Sequence, residues 1–408
     1  MQLSQPVLTL DEKALNVHDE GRRIRAAGSL IPMRIPGGPE TWGTAHRHVA
    51  DIILRHPKLS RNPQHWAALQ AGEVPPDWGP LAFLVAPTMN TAEGEDHRRL
   101  RKPVQDAFSK SRVEALKPHI EQRVAMLLEE IPVNQLVDLR RDFAYKLPMS
   151  IICELLGLTD EKKRDRLARE YDAIQETSST RAAEAHSAVM GIVADLVAQK
   201  RREPGGDLTT ALIRAQTEDQ ESLTDAELSS TLMTLFFAGH ETTQNLITNG
   251  VRALVDPAHR DQLELLLTDE VPWESATEET LRYDGSVNIL MFRYATDATV
   301  IAGVTVPKGQ AIMVALAGVG RDPDVFGPTT DSFDVRREGA SGHRAFGHGL
   351  HYCLGAPLAR QITTIALREL FSRFEVHCPT LGSLTPLPSY ISNSVQELPI
   401  IATVRAPV

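Results

Sequence analysis

Phe346-Gly347-His348-Gly349-Leu350-His351-Tyr352-Cys353-Leu354-Gly355-Ala356-Pro357-Leu358-Ala359-Arg360 carries more information than any other stretch of the chain. Gly347 and Gly349 permit positive φ and let the backbone approach something flat. Cys353 directly precedes a helix predicted to start near Gly355-Ala356, where Pro357 is tolerated because first-turn amides need no internal acceptor. The sulfur is then at the positive end of a helix dipole, with amides beside it that can donate. Both effects favour thiolate over thiol. Cys153 and Cys378 stand in no such setting and read as small buried hydrophobes.

Upstream of this loop, Gly318 to Gly349 is irregular and rich in Asp, Pro and Gly. A loop of that length inside a compact chain is usually functional. Before it, Glu279-Thr280-Leu281-Arg282 sets a carboxylate and a guanidinium on one helix face, where they can pair. That pair reads as a structural tie between a core helix and the irregular loop.

Further upstream, Asp225 to about Val255 is a long helix without proline, and Thr224 with Glu227 forms a capping box for it. Midway along lies Ala238-Gly239-His240-Glu241-Thr242-Thr243. Small residues at 238 and 239 let the helix pass close to a flat partner, and a helical Thr can divert a carbonyl bond to its own hydroxyl. Helical spacing of apolar residues also marks Val113 to Ile131, Phe143 to Leu156 with Gly157 as C-cap, and Ala182 to Lys200, stopped before Pro204-Gly205-Gly206. Strand character is confined to Arg293 to Leu316, where Thr299-Val300-Ile301, Val304-Thr305-Val306 and Ala311-Ile312-Met313-Val314 predict a small antiparallel meander.

Composition narrows the classes. The 408 residues are 42% hydrophobic and 24% charged, which excludes a disordered chain, a collagen-like repeat and a membrane bundle. The net charge of −10 and the lack of a basic run argue against a nucleic-acid partner. Three dispersed cysteines exclude a disulfide framework and fit a reducing cytoplasm. Met1 to Asp11 lacks the pattern of a signal peptide. No stretch approaches the ~18–20 apolar residues of a membrane span. No linker or repeat divides the chain, so residues 1–408 are expected to form one domain.

Phe346, Gly349, Cys353 and Gly355 complete a Phe-x-x-Gly-x-x-x-Cys-x-Gly pattern that resembles the haem-binding loop of the cytochrome P-450 family, in which the cysteine thiolate is the axial iron ligand. The resemblance runs from about Asp51 to Pro399. Glu279–Arg282 matches the family's Glu-x-x-Arg. Val137-Asp138-Leu139, Gly206-Asp207-Leu208, Arg321-Asp322-Pro323 and Glu397-Leu398-Pro399 match further landmarks. The soluble actinobacterial monooxygenases look closest. Two positions depart: Ser332 stands where relatives commonly carry Arg, so that Arg336 or Arg337 must substitute, and Gly320 replaces a frequent Asn.

The resemblance implies a mainly α P-450 fold, with a large helical part and a small antiparallel β-rich part enclosing haem b (iron protoporphyrin IX). It implies that Cys353 ligates iron. It places Phe346, Gly347, Gly355, Ala238 and Gly239 against the cofactor, and His97, Arg101, Arg293 and His351 at its propionates, where the Arg fork matches a carboxylate. Glu241 and Thr242 look like the family's acid–alcohol pair, which passes protons to bound dioxygen. The expected reaction is hydroxylation of a bulky lipophile, a steroid or a macrolide-type polyketide, with O2 and electrons from a soluble ferredoxin and its reductase. The ferredoxin would dock near Lys102, Arg344 and Arg360.

Pocket candidates from family topology are Met233, Phe237, Val287, Asn288, Ile289, Leu290, Ile391 and Ser392, with the segment to Met291, the loop Gly72 to Met89, and Asn393. Two other readings stand beside this one: a peroxide-driven haem peroxygenase and a non-catalytic haem-binding sensor or carrier. The intact Glu241-Thr242 pair argues against both, because neither needs a proton relay for dioxygen.

Overall fold

The computed structural model describes residues 6–175, 179–218 and 223–406. Helices dominate, and their boundaries follow local chemistry. The central helix Asp225–Leu254 opens with the expected capping box. The Thr224 hydroxyl accepts from the Glu227 amide at 3.2 Å, and the Glu227 carboxylate accepts from the Thr224 amide at 2.8 Å. Arg99 chelates the same carboxylate, and this hydrogen bonding holds its pKa down at about 2. Lys146–Leu155 ends as expected at Gly157, whose φ of 79° lets the Leu158 amide return to the Cys153 carbonyl at 2.8 Å.

Two helix expectations need correction. Val113 to Ile131 is not continuous: Lys110–Ala115 stops at Leu116, and Lys117–Glu129 restarts with Pro118 in its first turn, because proline supplies no amide to an ongoing ladder. The helix expected from Phe143 starts only at Lys146, and Phe143 itself lies in a wider π-turn, Arg140–Ala144.

The β structure is larger than the expected meander. Thr299–Ile301 and Val304–Val306 do pair as a hairpin, but as an isolated two-stranded sheet. Ala311–Ala315 instead joins Ile289–Ala295 antiparallel and Glu40–Thr44 parallel, inside a six-stranded mixed sheet. That sheet also recruits Leu8–Thr9, Ile31–Arg34 and Leu59–Ser60. A third sheet joins Phe374–His377, Pro399–Val404 and Leu136–Asp138.

One helical core runs through the central helix, its neighbours and Ala356–Arg373, and a smaller core underlies the six-stranded sheet. Trp273–Asp284 carries the expected ion pair, with no solvent exposure on either side chain. Arg282 meets Glu279 through two bonds of 2.7 Å, and it also donates to the carbonyls of Gly320, Thr330 and Ser332. Arg337, not Arg336, takes the place of the missing arginine, reaching Glu279 at 3.2 Å. Arg336 points to Glu270. Ser332 contributes only its carbonyl. Gly320 lies so close to the Arg282 carbonyl that an added Cβ would collide with it, which accounts for the lack of Asn there.

Removing one partner of such a cluster leaves buried charge uncompensated. Glu279→Gln should lower unfolding free energy by about 3–5 kcal/mol, measured by urea denaturation. Ser332→Ala should stay within about 0.5 kcal/mol of the parent.

Candidate functional site

The cysteine loop is braced on every side. The Cys353 amide returns to the Phe346 carbonyl at 3.1 Å, and the Tyr352 amide to Gly349 at 3.0 Å. Gly347 and Gly349 have φ of 72° and 79°, which L side chains rarely adopt. Arg101 donates to the Tyr352 carbonyl at 2.6 Å. The Arg360 guanidinium lies 4.6 Å above the Phe346 ring while Glu278 holds it. The helix Ala356–Arg373 begins at the expected place, with Gly355 as N-cap and Pro357 in the first turn.

Cys353 is deep in the molecule yet has an accessible side chain. Its sulfur receives the Gly355 and Ala356 amides, but burial outweighs them and the nearby Arg101 and Arg360, so the thiol pKa is raised. The helix-start amides thus favour thiolate as expected, but burial outweighs them. A cationic metal at the sulfur reverses that balance, since coordination deprotonates a thiol outright.

His97 and Arg101 lie on Gly94–Gln105, Arg293 on the sheet strand Ile289–Ala295, and His351 in the cysteine loop. The His97 and His351 rings approach to 4.3 Å. Buried His97 Nε2, His351 Nε2 and Arg293 Nε have no hydrogen-bond partner among the described residues. Glu93 comes within 3.4 Å of His351 Nε2 without the alignment of a hydrogen bond. Burial, and then the neighbouring Arg61, push the Arg293 pKa down to about 10. Burial pushes that of His351 to about 4 against the opposing pull of Glu93. Buried donors are normally satisfied, so these orphaned nitrogens fit the carboxylates of haem propionates.

Two members of this neighbourhood escaped the sequence. Glu93 accepts from the Arg61 amide at 2.6 Å, and Arg61 adds a second, half-buried cation beside Arg293. Neither falls in a motif or a periodic pattern.

On the central helix, Ala238 and Thr242 are exposed one turn apart, and the Thr242 hydroxyl donates to the Ala238 carbonyl at 2.7 Å. Gly239 does not share that face. A Cβ there would stand 3.1 Å from Ile152, so Gly239 serves the close crossing with Lys146–Leu155 and is removed from the cofactor-facing set. The Glu241 carboxylate accepts from Ser392 Oγ at 2.7 Å and from the Tyr171 hydroxyl at 3.1 Å.

The pocket candidates divide. Met233, Phe237, Val287, Leu290, Ile391 and Ser392 are half-buried. Asn288 and Ile289, each 1% exposed, are core. Asn288 bonds the Tyr390 carbonyl, and Ile289 packs in the sheet cluster. Asn393 is likewise spent on Asp284 and Gly285. In the Gly72 to Met89 loop, Met89 belongs to the helical core. The Met291 side chain lies outside the described residues.

A helical fold built around a cysteine loop, with buried nitrogens of His97, His351 and Arg293 that lack hydrogen-bond partners among the described residues and an acid–alcohol pair on the central helix, defines a haem-dependent oxygenase. The cytochrome P450 family model matches residues 167–262 and 255–399. The chain is 38% identical over 370 residues to a 2-hydroxy-5-methyl-1-naphthoate 7-hydroxylase of Streptomyces carzinostaticus, covering 90% of this chain and 89% of that one. It is 36% identical over 357 residues to the 6-deoxyerythronolide B hydroxylase of Saccharopolyspora erythraea, covering 86% and 87%. Testosterone-bound CYP154C4 from Streptomyces superposes with a TM-score of 0.93 at 35% identity, over 98% of this chain and 99% of that one. The chain belongs to the cytochrome P450 family. It is a haem-containing monooxygenase, an oxidoreductase that incorporates molecular oxygen into a small molecule and draws on redox partners. Among the described residues, no helix is long and apolar enough to cross a membrane.

His240, next to the acid, is fully buried against the edges of Tyr145 and Tyr171 and bonds the Tyr145 carbonyl at 3.0 Å. Burial lowers its pKa to about 4. The unfolded chain therefore takes up this proton first as pH falls. His240 costs no stability above about pH 6.5, and stability drains away between there and about pH 4, on the order of 2–3 kcal/mol. Urea midpoints measured across that range should show a shallower fall in His240→Gln than in the parent.

Proposed function

We propose that residues 1–408 form a single haem-thiolate monooxygenase domain that holds haem b on Cys353 and hydroxylates a bulky lipophilic substrate. The observation that carries this reading is the set of orphaned buried nitrogens of His97, His351 and Arg293 around a cysteine whose sulfur receives two helix-start amides. Those amides would temper the charge on the ligating sulfur. His97, Arg101, Arg293 and His351 would hold the two propionates, and Phe346, Gly347 and Gly355 would shape the loop beneath the ring. Bound haem supplies the activation of dioxygen.

The protein's part above the ring is proton supply. The Thr242 hydroxyl, accessible and already donating to Ala238, would offer a hydrogen-bonding group at the reaction site, and Glu241 beside it would pass protons inward. Substrate would lie against Met233, Phe237, Leu290 and Ile391, a mainly apolar lining with few polar anchors. Relatives act on a fused aromatic acid and a macrolide ring by name, and a steroid is seated in CYP154C4. Those names support a steroid or macrolide-type substrate here.

For the electron donor we retain a soluble ferredoxin with its reductase, on a reduced docking set. Arg344 is chelated by Asp51 and Arg360 by Glu278, so both brace the fold. Lys102 remains as an exposed cation on the helix beside the cysteine loop.

The test is the carbon-monoxide difference spectrum of reduced protein. Wild type should give the thiolate-type Soret band and Cys353→Ser should lose it. Absence of the band in haem-loaded wild type rejects the assignment. Steroids and macrolide aglycones should then move the Soret band toward high spin, while short polar compounds leave it in place.

A further inference from the structure

Glu241 is not a free side chain on the helix surface. One carboxylate oxygen accepts from Ser392 Oγ at 2.7 Å and the other from the Tyr171 hydroxyl at 3.1 Å. The two donors come from distant parts of the chain. Tyr171 lies on Glu161–Gln175 and is 5% exposed, with its ring against Phe237 at 4.8 Å and His240 at 5.1 Å. Ser392 lies in the C-terminal segment, where its amide donates to Ser389 Oγ at 3.0 Å and its backbone bridges Val287. Phe237, Val287 and Ile391, which border these two hydroxyls, are also half-buried members of the candidate pocket.

We propose that Tyr171 and Ser392 are positioning residues for proton delivery: they hold the Glu241 carboxylate between the central helix and two pocket-bordering elements, so that the fit of the substrate and the supply of protons are set by the same contacts. This rests on the role given above to Glu241. Physically, a glutamate has several rotatable bonds and samples many positions. Two charge-assisted hydrogen bonds from opposite sides reduce these to one. A proton donor displaced by about an ångström loses on the order of a hundredfold in rate, so this fixation matters more than the bonds' net stability.

The experiment uses haem-loaded protein with ferredoxin, reductase and NADPH, and testosterone as the probe. Tyr171→Phe, Ser392→Ala, their combination, Ser392→Thr and Glu241→Gln are compared, each first matched to wild type in carbon-monoxide spectrum and melting temperature. Three quantities are read: hydrogen peroxide released per oxygen consumed, with and without testosterone; the solvent deuterium isotope effect on oxygen consumption; and the Glu241 side-chain position in crystals of wild type and the double variant.

The single deletions should raise the peroxide fraction about 2- to 5-fold and the double deletion about tenfold, approaching Glu241→Gln, with a larger isotope effect. Ser392→Thr, which keeps the hydroxyl, should stay within about twofold of wild type. Glu241 should be displaced in the double-variant crystals only. A double variant with wild-type peroxide fraction, isotope effect and Glu241 position overturns the positioning role while Glu241→Gln still uncouples. If Glu241→Gln is itself silent, the relay role of Glu241 fails, and the clamp fails with it.

Discussion

Two consecutive acids on the helix Trp273–Asp284 hold the cysteine loop in place. Glu279 is shut away from water and gathers Arg282 and Arg337, and through Arg282 the carbonyls of Gly320, Thr330 and Ser332. Glu278 takes His343, at the entry to the loop, and Arg360, on the helix that leaves it. Burial would raise the Glu278 pKa, yet the closely placed His343 and the hydrogen-bonded Arg360 hold it at about 2. One helix thus grips both flanks of a segment that has little regular structure of its own. A buried ion cluster is weak evidence for net stability, because desolvation offsets its Coulomb gain. Its value here is in register: an irregular chain with few apolar residues has few other means of fixing where a glycine-flanked cysteine comes to rest.

Cys353 shows what such fixation is for. Left to the protein alone, burial pushes its thiol pKa up despite two amide bonds and two nearby arginines. The site is thus not a reactive cysteine of the kind that attacks substrates, which needs its thiolate without help. On the same loop and on two other elements, buried nitrogens of His351, His97 and Arg293 have no hydrogen-bond partner among the described residues. Each of these states is costly, and they share one remedy. A group with a cationic metal for the sulfur and carboxylates for the nitrogens relieves them together. Buried polar groups are normally satisfied, so the nitrogens without partners beside the cysteine loop fit a group that carries carboxylates.

What could be read in advance follows contiguity. The cysteine loop, the capping box, the Gly157 cap and the acid–alcohol hexapeptide are each written in a few adjacent residues. Each depends on local rules of turn, cap and dipole. The sheet is not so written: its strands Leu8–Thr9 and Leu59–Ser60 span two residues each, too short for any alternation, and they exist only through partners far away in sequence. The same limit misplaced Ala311–Ala315, whose neighbours are Glu40–Thr44 and Ile289–Ala295 rather than the adjacent hairpin. Gly239, small like Ala238, reads from sequence as facing the same flat partner. On a helix, adjacent residues point about 100° apart, and that rotation carries Gly239 to Ile152.

The same reasoning explains why the reaction class is clear from sequence and the substrate is not. Chemistry needs a ligand and a proton relay, and both fit on single elements. The proposed pocket wall is a composite: Phe237 comes from the central helix, Leu290 from a sheet strand and Ile391 from the C-terminal segment, and no local pattern says which face of each looks inward. Asn288 and Leu290 illustrate the difficulty. They stand two residues apart, yet the first spends its amide on the Tyr390 carbonyl in the core and the second is half-buried. Ser392 is the sharper case. Considered as a polar anchor for substrate, it gives its hydroxyl to Glu241. A hydroxyl committed to a carboxylate at 2.7 Å is a poor orienting group for a lipophile, so the pocket that remains is more apolar than the sequence implies. Selectivity in such a pocket must rest on shape, and shape discriminates by only about 1–3 kcal/mol per methylene. That favours a large rigid substrate, whose many contacts accumulate into a defined orientation, over a small one.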